Sequence, residues 1–146
     1  MSWNTLLTEG KVTPHQTSRN ELADLRGVVA RNLADAAIPG LSTDNRFAIA
    51  YQAALLAAKM AIACAGYRVK GEGAHRTTFV ALKLALGRQY GKMADYFDRC
   101  RRIRNDLVYD TEGVVSANDA EELFNTATQF AQSVENWIAK THPNLS

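Results

Sequence analysis

Cysteine, surplus charge and strand-like patterning are all scarce in this chain, and each scarcity removes a class of protein. Only two cysteines occur, Cys64 and Cys100. Each lies inside an apolar helical pattern with no second Cys or His at ligand spacing, so neither a disulfide framework nor a metal site is expected and both read as core thiols. The formal net charge is only +2, too little for the total charge to argue for a nucleic-acid partner. No basic N-terminal segment runs into an apolar one, and the longest Ala-rich run is broken by Gln52 and Lys59. A cytoplasmic chain with no membrane contact is therefore expected. Period-two alternation, internal repeats and low-complexity segments are missing as well. The three glycines between Gly66 and Gly73 lack the preceding strand and the Gly-Lys-Ser/Thr ending of a phosphate cradle, so that stretch reads as a loop.

What remains is helical periodicity over most of 146 residues, of which 47% are apolar and 22% charged, enough to bury a core in a single domain spanning 1–146. Residues 1–17, with Trp3, Leu6, Leu7, Gly10 and Pro14, read as a docked arm or short helical turn. Ser18 to Glu21 has capping-box spacing and opens a first helix with the stripe Leu22, Leu25, Val29, Leu33 and Ala36, stopped by Pro39-Gly40. Ser42-Thr43-Asp44 opens a second, from about Asn45 to Ala65, facing inward with Phe47, Ala50, Tyr51, Ala54, Leu55, Ala58 and Ile62; its alanines favour close helix approach. A third carries Phe79, Leu82 and Leu86 and ends at Gly87, and a fourth begins near Tyr90. Ser116 to Asp119 caps a fifth, with the stripe Ala120, Leu123, Phe124, Ala127, Phe130, Ala131, Val134, Trp137 and Ile138 before Pro143. The fold class expected is all-α, a five-helix up-and-down bundle with antiparallel neighbours.

The stretch most like a site is Arg99 to Asp110, which places four arginines, an Asn and a Tyr on an otherwise apolar helix end. At about 100° per residue, Met93, Tyr96, Phe97, Cys100, Ile103 and Leu107 share one face and must pack inward. Arg104 sits beside that seam at the core edge, and a half-buried guanidinium needs a carboxylate, a carbonyl or a ligand phosphate. Arg101, Arg102 and Asp110 are secondary binding candidates. His75, at a loop-to-helix junction, reads first as a cap or exposed residue and second as a candidate base.

Tyr51-x-Ala-Ala, the Gly66-Tyr67-Arg68 turn, Lys70-x-x-x-x-His75-Arg76 and Arg104-Asn105-x-x-x-Tyr109-Asp110, in that order and on those helices, resemble the HEPN superfamily of small helical bundles. The resemblance covers about residues 45–111, with the last helix fitting by architecture alone. It implies a homodimer, no cofactor or metal, and a site at Arg104, Asn105 and Tyr109. Many relatives are metal-independent ribonucleases or toxin components partnered by a nucleotidyltransferase antitoxin. Ribonuclease members carry His where this chain carries Tyr109. A phenol titrating near 10 is a poor base at neutral pH beside an imidazole near 6.5, although it remains a hydrogen-bond donor and a stacking platform. On an ideal helix Arg104 and Tyr109 stand about 140° apart, so either the helix unwinds near Tyr109 or the residues converge in a cleft with a second subunit. Three functions follow: a dimer binding RNA or nucleotide with weak or no catalysis, an active metal-independent ribonuclease toxin, and a plain helical interaction module. In the plainest view Arg104 bonds a buried carboxylate and Tyr109 packs on the fifth helix.

Overall fold

In the computed structural model the described residues are 1–109 and 115–146, with the backbone alone at Val108 and Tyr109. The helices that the periodicity marks out are present: α2 (Arg19–Ala36), α3 (Thr43–Cys64), α4 (Ala74–Leu86), α5 (Gly91–Tyr109) and α6 (Ala117–Thr141). One more precedes them. α1 (Trp3–Thr8) forms within residues 1–17, where the sequence allowed a docked arm or a short helical turn, because Ser2 caps it by accepting the Thr5 amide and Leu6 is driven to 1% exposure. The fold is all-α, with six α-helices rather than five among the described residues.

The expected loop at 66–73 also needs correction. Val12–Pro14 (β1) and Tyr67–Val69 (β2) pair antiparallel, Val12 opposite Val69 and Pro14 opposite Tyr67. Glycines at positive φ on both sides, Gly66 at +99° and Gly71 at +82°, turn the chain into and out of β2 and leave three residues extended between them. Strands this short are stable only against something else. Here Leu6, Val12, Ile62 and Ala81 form a satellite cluster under the ladder, and Trp3 stacks on Tyr67 at 4.1 Å between ring centroids.

Helix ends follow from local chemistry. At α6 Ser116 Oγ accepts the Asp119 amide (3.0 Å) while Asp119 Oδ2 accepts the Ser116 amide (3.2 Å), a complete capping box. At α2 only half of the expected box forms. Ser18 Oγ accepts the Glu21 amide, but the Glu21 carboxylate turns to Thr17 Oγ1 and His15 Nε2, both at 2.7 Å, instead of reaching back to the backbone.

α3 is the axis of the molecule, packed against α2, α4, α5 and α6. It is the one helix among the described residues long and apolar enough to cross a membrane, and 72% of the window that meets this test is buried inside the protein. Ala50, Ala53, Ala54, Ala57, Ala58 and Ala61 are all buried, more sides than one inner face would need, so alanine admits neighbours all round rather than on one stripe. Phe47, Phe79, Phe97 and Phe130 fill the space between helices. Tyr51 is fully buried among them and brings a hydroxyl toward α4.

Candidate functional site

α5 presents its predicted seam as expected: Phe97 and Cys100 are buried, and Met93, Tyr96, Ile103 and Leu107 pack partly buried against the core. Burial pushes both cysteine thiols up to about 11, where they stay protonated and unreactive. The four arginines of this helix do not form one patch. Arg99 lies over the Tyr96 ring, 5.8 Å from its centroid. Arg101 Nε and Arg102 Nη1 each donate to a different oxygen of Asp98, both at 2.8 Å, the first pair largely enclosed (18% exposure at Arg101) and the second open (58% at Arg102). Arg104 takes a different partner. Its guanidinium carbon lies 5.8 Å from the Tyr51 ring centroid, within cation–π range.

The sequence offered a carboxylate, a carbonyl or a ligand phosphate as the acceptor for a half-buried Arg104, and the ring contact adds a partner that was not among them. Among the described residues Arg104 makes no ion pair; the electron-rich face of Tyr51 takes that place, since a guanidinium is weakly hydrated and stacks on rings at modest cost. Tyr51 in turn reaches His75, with Oη 3.2 Å from Nδ1. His75 is the second residue of α4, whose start is set by Gly73 in the left-handed conformation at φ +69°. Three helices therefore converge: Arg104 from α5, Tyr51 from α3 and His75 from α4.

Charge and burial fix the protonation states of this triad. Burial raises the Tyr51 phenol well above its ordinary 10, against the smaller opposing effect of Arg104 and Arg101, so it is an O–H at any physiological pH. His75 moves the other way. Burial lowers it below 6.5, and Lys59, Arg104 and Arg101 lower it further, so the ring is neutral at pH 7. A buried phenol needs an acceptor for its proton, and the imidazole nitrogen facing it supplies one. With Tyr51 donating, Nδ1 accepts and the ring's own proton sits on Nε2. The arrangement offers a guanidinium and an imidazole N–H, donors suited to an anion, rather than an open basic nitrogen.

Of the residues singled out from the sequence, Arg104 and His75 are brought together through Tyr51, and Arg101 adds charge nearby. Asn105 is exposed on α5, and Arg102 is committed to Asp98. α5 remains helical through Tyr109, so no unwinding separates it from Arg104 and the angle of about 140° persists. The Tyr109 side chain, and Asp110 altogether, lie outside the described residues. Tyr51 was legible only as a core-facing residue and as one position of a motif. Its role follows from α4 and α5 crossing the same turn of α3, which periodicity does not reveal.

A family model for the SAV_6107-like HEPN domain matches residues 37–135. The chain belongs to this HEPN family. The match takes in Tyr51, His75, Arg104, Asn105 and Tyr109, and it extends across most of α6, which the motif resemblance reached by architecture alone. Neither a curated protein nor a solved structure matches the chain. The HEPN assignment and the all-α bundle agree: the α3 and α5 segments that carry the family-like motifs are those that meet at the triad.

Proposed function

We propose that this HEPN protein is a cytoplasmic homodimer that binds RNA or a nucleotide at the Arg104–Tyr51–His75 triad and cleaves it weakly or not at all, as one component of a toxin–antitoxin pair with a nucleotidyltransferase partner. The observation that carries the binding half is the Tyr51–His75 hydrogen bond: it occupies Nδ1 and leaves a donor at Nε2, on a ring within electrostatic reach of the Arg104 cation. Phosphate oxygens accept from such donors, and Arg is suited to hold them in forked geometry. Tyr109 in place of the relatives' His supports weak catalysis, because a phenol near 10 is a poor base at neutral pH. The persistent angle between Arg104 and Tyr109 supports a second subunit, whose facing helix would complete the cleft.

One observation favours a second reading, an active metal-independent ribonuclease. His75 is held neutral at pH 7, the form a general base requires, and turning the Tyr51 hydroxyl to another acceptor would free a ring nitrogen for the 2′-hydroxyl proton. The test is a pair of measurements on purified protein in excess chelator: anisotropy of a labelled single-stranded RNA, and its cleavage over hours. Binding lost in Arg104→Ala, with no cleavage by wild type, supports the binding reading. Robust cleavage abolished by His75→Gln would transfer the assignment to the ribonuclease. Loss of neither binding nor cleavage in Arg104→Ala would remove the triad from both.

A further inference from the structure

A separate cleft lies between α2, the C-terminal half of α3 and β2, with a volume of about 380 Å³. It shares no lining residue with the triad. Volumes of this order are those of small-molecule sites. Its floor is apolar, from Leu25, Leu56, Ile62 and Val69, and its walls carry opposite charges. Lys59 of α3 and Arg68 of β2 are its cations. Lys59 is half-buried, and its ammonium is made less basic first by burial and then by the neighbouring Arg68, so a bound anion near both cations would offset the disfavoured charge. Glu21 and Asp24, one helical turn apart on α2, are its anions. Glu21 takes both of its bonds, from His15 and Thr17, on a single oxygen, Oε1. Arg68 lies within electrostatic reach of Glu21 as well as of Lys59, so the cationic and anionic walls are close neighbours.

We infer that this cleft binds a small zwitterion with an apolar body, a carboxylate seated between Lys59 and Arg68, an ammonium toward Glu21 and Asp24, and a hydrocarbon side chain along Leu25 and Leu56, the chemistry of a free apolar α-amino acid. A simple anion would meet the α2 carboxylates, and a simple amine would meet Lys59 and Arg68. Adjacent opposite charges on one small molecule satisfy both walls, and the apolar floor takes the remainder.

The structure supplies its own reporter. Trp3 stacks on Tyr67, which lines the cleft, and the chain has only two tryptophans, so Trp137→Phe leaves Trp3 as the single indole. Titrating that protein with L-leucine, and in parallel with leucinamide and 4-methylpentanoate, separates the requirements for the two charges. The expected result is saturable change in Trp3 emission with leucine, at least about tenfold weaker binding of either singly charged analogue, and a loss of similar size in Lys59→Met and Arg68→Gln, as for truncated charge-assisted hydrogen bonds. Arg104→Ala should leave the leucine titration unchanged. The proposal is overturned by no saturable signal below about 20 mM, a range wide enough for weak millimolar sites. It is equally overturned by an analogue binding as well as leucine, or by leucine affinity unchanged in Lys59→Met, with circular dichroism confirming that each variant folds.

Discussion

At the scale of single residues the chemistry turns on what surrounds each titrating group. His75 is neutral at pH 7 because burial and three cations disfavour its protonated form, and that has a consequence for stability. With the folded pKa below 6.5, the unfolded chain takes up the proton first as pH falls. Stability should therefore decline from about pH 6.5 downward and level off once the folded form is protonated too. Glu21, whose carboxyl is lowered from 4.5 by its His15 and Thr17 bonds, loses stabilisation only in a more acid window, and the two are separable. Urea titrations at several pH values should show the upper decline vanish in His75→Gln while the lower one stays. Removing a cation tests the same electrostatics directly: in Arg104→Gln the His75 ring should titrate closer to 6.5, read by NMR of its ring protons. The family resemblance implies that Tyr109 occupies the position of a His in ribonuclease members. If its hydroxyl makes one hydrogen bond to RNA, Tyr109→Phe should weaken binding by about 1 kcal/mol. Tyr109→His should bring measurable metal-free cleavage; an inert Tyr109→His protein that still binds RNA would show that this position lies away from the reacting phosphate.

At the scale of elements, caps and glycines decide where helices begin, and packing decides which face is hidden. Both halves of the Ser116–Asp119 box close, so α6 enters the core in register with its stripe Leu123, Ala127, Phe130, Val134 and Ile138 fully buried. Ser116→Ala should destabilise the protein by about 1 kcal/mol, measured by urea unfolding, because one orphan amide of the first turn loses its acceptor. The α2 start differs in kind. Its capping-box sequence was legible, yet Glu21 left the box for His15 and Thr17, since the arm, once paired with β2, brings His15 within 2.7 Å of its carboxylate. A sequence motif names the groups able to bond, while the tertiary neighbours choose among them. The same holds for Tyr67–Val69, read as loop from its glycines and found as a strand only because β1 lies beside it.

At the scale of the whole molecule, α3 is the scaffold on which the other long helices assemble, and its length and apolarity would suit a membrane were it not already enclosed by protein. A homodimer is expected from the proposed cleft. Sedimentation at tens of micromolar, the range of ordinary stable interfaces, should give twice the chain mass, and a strict monomer would count against it. RNA affinity should fall steeply with salt if Arg104 and its neighbours meet phosphates, because each contact releases counterions. A flat salt response would instead favour the plain interaction module.

The helices and their buried faces were set by the sequence itself, because a period of 3.6 and an N-cap serine act within a few residues and carry their own physics. Arg104 at the edge of a core seam was legible for the same reason. Its partner was not. That Arg104 meets a ring face, that this ring belongs to Tyr51, and that Tyr51 holds His75 by its hydroxyl are facts about three helices separated by tens of residues. Their meeting depends on the crossing of α4 and α5 over α3, set by the summed fit of many buried side chains, and that fit exists only when the whole chain is folded.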